Sequence, residues 1–142
     1  MSAPAQEQIS ILTIGLDLDW GAAHLGHEID MAAVRAAVAK GIQEFENVPG
    51  LHHDNYFVVP DNTDAWRVTE RTVRAGHDGR PWDGITIGWG LRGHADMTVV
   101  FERVVNLAKE ASPSSKLIFS GPASDHFGAV KRNWPYLKGK GE

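Results

Sequence analysis

Short apolar segments alternate with longer amphipathic segments along the whole chain, and this alternation restricts the fold more than any other feature. The apolar segments are ISILTIGL, NYFVVP, DGITIG and KLIFSG, which begin at residues 9, 55, 83 and 116. They are short, rich in β-branched or aromatic residues and bounded by turn-forming residues, as buried strands are. The sequence therefore predicts four β-strands.

The segments between these strands have the apolar spacing of helices. Helices are predicted after the capping residues Asp30, Thr63, Asp96 and Ser124. Strands and helices that alternate strictly, joined by right-handed crossovers, indicate a parallel sheet with helices on both faces. We predict an α/β fold with three layers, α/β/α, and a four-stranded parallel sheet in the flavodoxin-like (Rossmann-like) order 2-1-3-4.

Length and cysteine content limit the organisation of the chain and its chemistry. The 142 residues suit a single α/β domain over 9–134, with a disordered N-terminus over 1–8 and a flexible tail over 135–142. The chain has no cysteine. Disulfides, zinc–thiolate sites and thiol nucleophiles are therefore excluded.

Charge and hydropathy restrict the partners. The formal net charge is -4 and no segment concentrates basic residues, so we expect no nucleic-acid partner. No apolar run is long enough to cross a bilayer and the first residues lack the pattern of a signal peptide, so we expect a cytoplasmic protein with no membrane partner. The two edge strands of the sheet are compatible with a homodimer.

Histidines follow three of the predicted strand ends, with His94 after the third, and ligands of open parallel sheets bind at the carboxyl ends of strands. The long connection after the first strand contains His24 and His27, and Asp125 and His126 follow the fourth strand. Imidazoles titrate near neutral pH, and a carboxylate can orient them. We interpret His27, His24 and His126 as candidate catalytic residues, with Asp125 as the carboxylate. Solvated loop histidines, and Asp125 as a helix-dipole acid, remain as alternatives.

Arg92 follows the glycines at the end of the third strand, ahead of a predicted helix. Its guanidinium and the nearby backbone N–H groups could converge on one carboxylate or phosphate. We therefore expect an anionic small-molecule ligand at this edge. The alternative is an Arg92 that braces the loops through an ion pair. The predicted ligand-binding residues are Arg92, Gly88, Gly90, Trp20, Trp89 and Asp61.

The same segment, GWGLRG, has the G-x-G-x-x-G spacing of dinucleotide-binding proteins. That fingerprint requires an acid about twenty residues further on, at the end of the next strand. No acid stands in LIFSGPAS, and the motif follows the third strand instead of the first. The loop after the first strand, LDLDWGAAH, also lacks a Ser/Thr/Gly-rich phosphate loop. We therefore expect neither NAD nor FMN, and no other cofactor.

His24, His27 and Asp30 lie close together in the sequence and offer imidazole and carboxylate ligands for a metal ion. The segment lacks the H-E-x-x-H order, which places two histidines one helical turn apart. Asp30 is also the predicted N-cap of a helix. The sequence therefore predicts no metal at these residues.

Two short motifs carry a resemblance to known proteins. IGWGLR at 87–92 and FERVVN at 101–106 match the pattern of an IGxGxR strand end followed by an FExxVN helix. In these motifs the chain resembles a loose group of small uncharacterised bacterial and fungal flavodoxin-like α/β proteins. The resemblance implies a small flavodoxin-like fold and an anion site at Arg92, and it implies no activity.

Together these features favour a small enzyme. It would act on an anionic or polar small molecule at the carboxyl edge of the sheet by His/Asp acid–base chemistry, as a hydrolase, lyase or isomerase. The alternative is a non-catalytic module that binds a small molecule or another protein through the same edge.

Overall fold

The computed structural model describes residues 8–25 and 30–142. The strands are β1 (Ile9–Leu16), β2 (Leu51–Val58), β3 (Gly84–Ile87) and β4 (Lys116–Phe119). The helices are α1 (Leu18–Leu25), α2 (Met31–Gln43), α3 (Thr63–Ala75), α4 (Trp89–Arg92), α5 (Thr98–Ala111) and α6 (His126–Asn133). All strands are parallel, in the order β2-β1-β3-β4, with helices on both sides of the sheet. The predicted flavodoxin-like α/β arrangement is confirmed.

The two faces of the sheet are covered by different elements, and each carries a hydrophobic core. One face is apolar, and α3 and α5 cover it with buried side chains such as Trp66, Val73 and Val104. The other face is covered by α6 and by the segment that follows α2, through residues such as Phe45 and Val130. Consecutive residues of a strand point to opposite faces. Strands β1, β2 and β4 therefore contribute residues to both cores.

The first half of α2 does not pack tightly on the sheet. Its apolar stripe includes Val34 and Val38, which are only half-buried, and Gly41 is the buried residue of the helix. The stripe instead faces a cavity between α2 and the sheet. In this respect α2 differs from α3 and α5, whose buried apolar residues pack directly on the sheet.

Several local features differ from the sequence prediction. The long connection after β1 contains the two-turn helix α1, whose first turn is stabilised because Asp17 Oδ1 accepts a hydrogen bond from Trp20 N at 2.9 Å. A helix this short shows little apolar periodicity, so the sequence pattern did not reveal it. Strand β2 begins at Leu51, four residues before the predicted start.

Helix starts also differ. The N-cap of α3 is Asn62, whose side-chain oxygen accepts a hydrogen bond from Ala65 N at 3.0 Å, and not Thr63. Helix α6 begins at His126 because Ser124 has a φ of 54°, outside the conformation of an N-cap. The predicted cap of α2 is confirmed, since the Asp30 side chain accepts from Ala33 N.

The segment 135–142, predicted to be a flexible tail, includes a core residue. Leu137 is buried beside Phe127 and Val130, and Lys131 Nζ donates a hydrogen bond to the Glu142 carboxylate. The flexibility of this segment stays a prediction.

Candidate functional site

A cavity of about 230 Å³ opens at the carboxyl ends of β1 and β3, between the sheet and α2. This is the position where open parallel sheets bind ligands. Its walls are mainly apolar, and polar groups gather on the sheet side. The residues that line it are Thr13, Gly15, Leu16, Asp17, Leu18, Gly21, Leu25, Met31, Val34, Ala37, Val38, Asn55, Phe57, Gly88, Trp89, Gly90, His94, Pro122, Ser124 and His126.

Glycines at adjacent strand ends create the space. Gly15 and Gly88 follow Ile14 and Ile87, which are paired across β1 and β3. Because glycine has no side chain, both positions leave the space above the sheet open to the cavity. A Cβ on Gly15 would come within 3.4 Å of the Phe57 ring, so the cavity narrows as soon as a side chain is added there.

The floor of the cavity lies beside a row of polar side chains that crosses three strands. Thr13 of β1 is paired in register with Asn55 of β2 and with Thr86 of β3. Asn55 Nδ2 and Thr86 Oγ1 are buried and have no hydrogen-bond partner among the described residues. An unpaired buried polar group costs about 1–3 kcal/mol. A bound molecule that offered hydrogen-bond partners to Asn55 would therefore gain binding free energy.

His126 closes the cavity from the side of α6. Its side chain is buried, and its Nδ1 has no hydrogen-bond partner among the described residues. Gly41 of α2 allows this packing, because a Cβ there would lie 2.6 Å from the Ser124 carbonyl oxygen and 3.2 Å from His126 Cδ2. Burial lowers the pKa of His126 below its usual value, and the nearby Asp125 carboxylate offsets part of that effect. The imidazole is therefore neutral at neutral pH.

A second histidine supports the floor from below. His53 shares a hydrogen bond of 2.7 Å with Thr13 Oγ1, and its ring stacks on Phe45 at 3.6 Å between centroids. Burial, followed by the proximity of His126, lowers the pKa of His53 from 6.5 to about 4. Two neutral imidazoles thus stand on this face of the sheet.

Charge at the cavity is sparse. Asp17 is the acidic residue that lines it, and the described lining residues include neither lysine nor arginine. One oxygen of Asp17 is already engaged with the amide of Trp20. An uncharged molecule with polar groups suits this lining better than a free anion does.

Some of the predicted site residues line the cavity, and others lie outside it. Gly88, Trp89, Gly90 and His126 line the cavity together. Trp20, His24 and Asp61 form a different cluster outside it. In that cluster the rings of Trp20 and His24 stack at 3.9 Å, and His24 Nε2 lies 3.9 Å from Asp61 Oδ2. His27 lies outside the described residues.

Arg92 and Asp125 make structural contacts near the cavity without lining it. The guanidinium of Arg92 donates a hydrogen bond of 3.2 Å to the Ser120 carbonyl and lies 4.9 Å from the centroid of the Trp89 ring. The Asp125 carboxylate accepts a hydrogen bond from Gly121 N. The anion-binding role of Arg92 and the orienting role of Asp125 stay predictions.

Sequence reasoning missed Thr13, His53 and Asn55. The apolar pattern begins the second strand at Asn55, but His52 and His53 both lie within β2, and His53 bonds to Thr13 at the cavity floor. One signal was present: polar residues interrupt strand segments whose neighbours are apolar. A polar residue inside a buried strand requires a partner, which is a reason to examine it as a site residue.

Comparison with known protein families, with curated proteins and with solved structures finds no match to this chain. None of the described helices has the length and apolar character needed to cross a membrane.

Proposed function

We propose that the cavity binds a small uncharged molecule with an apolar body and a polar end, and that His126 exchanges a proton with it. The observation that carries the proposal is the unpartnered Nδ1 of a buried, neutral imidazole in the cavity wall. A neutral imidazole in a cleft is a competent proton acceptor. The protein would then be an acid–base enzyme of the hydrolase, lyase or isomerase type that uses no redox cofactor.

The cavity also supports the size and polarity of the substrate. At about 230 Å³ it lies below the range of about 300–1,000 Å³ that is usual for sites of drug-sized ligands. A metabolite of a few carbon atoms fits better. The polar end would meet Asn55 and His126, and the apolar body would contact Val34, Val38 and Phe57.

A non-catalytic binding module is the second candidate, and one observation favours it. No carboxylate is hydrogen-bonded to His126 among the described residues, since Asp125 is engaged with the Gly121 amide. Catalytic histidines are commonly oriented by a third group. A cavity with Asn55 and an unoriented His126 could hold a ligand without changing it.

A ligand screen followed by one matched pair of variants separates these functions. Uncharged metabolites that raise the melting temperature of the chain identify ligands, because binding to the folded state stabilises it. Each hit is then incubated with the wild type, His126→Gln and His24→Gln, and the products are followed by mass spectrometry. His24 is an exposed histidine outside the cavity, so it is the control.

We expect turnover by the wild type and by His24→Gln, and a loss of about a hundredfold or more in His126→Gln, because general acid–base catalysis contributes about 10²–10⁴-fold. Binding without turnover in the wild type would support the binding module. Turnover that survives unchanged in His126→Gln would refute the proposed role of this residue.

A further inference from the structure

A second cluster of ligating side chains lies at the amino end of β2, away from the cavity. Strand β2 presents His52 and Asp54 on the face opposite Asn55, since alternate residues point to opposite faces. His77, which follows α3, meets them there. The ligand atoms of His52, Asp54 and His77 lie within 4.8 Å of one another.

The backbone holds His77 in place through a tight turn. His77 and Arg80 exchange two backbone hydrogen bonds of 2.9 and 3.0 Å, and the intervening Asp78 and Gly79 have φ values of 52° and 74°. Positive φ at both central residues is the signature of a two-residue hairpin turn of type I′. His77 therefore occupies the first position of a rigid hairpin.

The imidazole rings are also fixed by stacking. The rings of His52 and His77 lie 3.5 Å apart between centroids with an angle of 7° between their planes, and the Trp82 ring lies 6.3 Å from each. Trp82 is buried, and its Nε1 donates a hydrogen bond to the Thr72 carbonyl. The side chains of His52 and His77 are 28% and 26% exposed. The three side chains are thus held close together and reachable from solvent, and the two imidazole planes must tilt apart for both nitrogens to face one ion.

The donor set matches a transition metal. His52 Nε2 lies 3.1 Å from Asp54 Oδ2, and a ligand atom of His77 lies within 4.8 Å of both residues. In a tetrahedral zinc site with bonds of about 2.1 Å, ligand atoms are separated by about 3.4 Å. Imidazole nitrogens suit zinc and its neighbours, whereas magnesium and calcium prefer oxygen ligands alone.

We propose that His52, Asp54 and His77 bind a divalent transition-metal ion, with zinc as the best fit and water in the remaining position. The ion ties the hairpin after α3 to the beginning of β2. The site lies on the opposite face of the sheet from the cavity, so it does not rest on the proposed function. It also differs from the set His24, His27 and Asp30, at which the sequence predicts no metal.

The test uses the full chain, stripped with EDTA and dialysed, titrated with ZnCl₂ by calorimetry and with CoCl₂ by visible spectroscopy. We expect one ion per chain and the intense visible absorption of four-coordinate Co²⁺. His77→Phe keeps an aromatic ring against His52 and Trp82 but removes the nitrogen ligands. We expect this variant to bind zinc at least about a hundredfold more weakly, and Asp54→Asn at least about tenfold more weakly.

His24→Phe is the matched control, because it removes an exposed histidine that also lies near a carboxylate. Its zinc affinity should equal that of the wild type. The proposal is overturned if Asp54→Asn and His77→Phe both keep the wild-type affinity, or if His24→Phe loses it. Circular dichroism of the zinc-free variants checks that they fold. If His77→Phe does not fold, Asp54→Asn and His52→Gln decide the question.

Discussion

Gly76 is a position where the backbone dictates the residue type. Its φ is 62°, and a Cβ there would lie 1.9 Å from the Arg80 carbonyl oxygen. Gly50 also has a positive φ, of 76°, but a Cβ there would meet nothing within 4 Å. An alanine at Gly50 would therefore meet only the cost of the left-handed conformation, whereas an alanine at Gly76 would also meet a steric clash.

We expect Gly50→Ala to lower the free energy of unfolding by about 1–2 kcal/mol, which is the cost of a left-handed residue with a side chain. Gly76→Ala should lower it by clearly more, since the hairpin that carries His77 must shift to admit the methyl group. Urea denaturation of both variants measures the difference. Equal losses would contradict the clash at Gly76.

His126 is expected to set the acid limit of the proposed activity. Burial lowers the pKa of this histidine below its usual value of 6.5, so the neutral, proton-accepting form persists below the pH at which an exposed histidine is half protonated. The rate, measured by kcat/KM from pH 4 to 8, should fall to half at a pH below 6.5. A midpoint at or above pH 6.5 would show that another group controls the rate.

At the scale of single elements, α3 offers a direct comparison between a predicted and an observed cap. Thr63 has the residue type of a cap, but Asn62 makes the capping hydrogen bond to Ala65 N. Either residue is acceptable from its type alone. Only the path of the chain out of β2 decides which side chain reaches the free N–H groups.

We expect Asn62→Ala to lower the free energy of unfolding by about 1 kcal/mol, the usual contribution of an N-cap side chain. Thr63→Ala, at the first helical residue, should change it by less than half of that amount. Thermal or urea unfolding of the two variants decides between the caps. A larger loss in Thr63→Ala than in Asn62→Ala would contradict the observed cap.

Strand β2 shows how half of a strand escapes prediction. Its first half, LHHD, is polar in every residue after Leu51, so the apolar pattern identified only the second half. The polar residues have partners from distant parts of the chain. His53 pairs with Thr13, and His52 stacks on His77. Local periodicity contains no information about such contacts, because the partners are brought together only by the fold.

At the scale of the whole molecule, the face of the sheet under α3 and α5 supplies most of the core, and His53 on the other face makes stability depend on pH. His53 has a pKa of about 4 in the folded chain against an ordinary value of 6.5. The unfolded chain therefore binds more protons between these values, so the stabilising contribution is complete above pH 6.5 and is lost as the pH falls towards 4. A gap of that size corresponds to at most about 3 kcal/mol.

We therefore expect the free energy of unfolding to fall more steeply between pH 7 and 4.5 in the wild type than in His53→Phe, which keeps the stack on Phe45 but has no group to protonate. Urea unfolding at the two pH values measures the two slopes, with EDTA present so that no metal contributes. Carboxylates titrate in both proteins and cancel in the comparison. Equal slopes would contradict a buried neutral His53.

The sequence by itself determined the architecture. Four apolar segments separated by helical ones admit few arrangements, because the strands must be buried on both faces and the crossovers must be right-handed. The strand order predicts a site at the carboxyl edge, and four residues predicted from that rule, Gly88, Trp89, Gly90 and His126, line the cavity there. These predictions depend on periodicity and chain connectivity, which are local properties of the sequence.

The tertiary structure alone decided which of the candidates meet. It separated Trp20, His24 and Asp61 from the cavity, turned the Arg92 guanidinium towards the Ser120 carbonyl and brought Asn55 beside Thr13. It also joined His52 and Asp54 to His77 across more than twenty residues of chain. The physical reason is that side-chain contacts depend on register, strand face and helix packing. A shift of one residue in a strand moves every side chain to the other face.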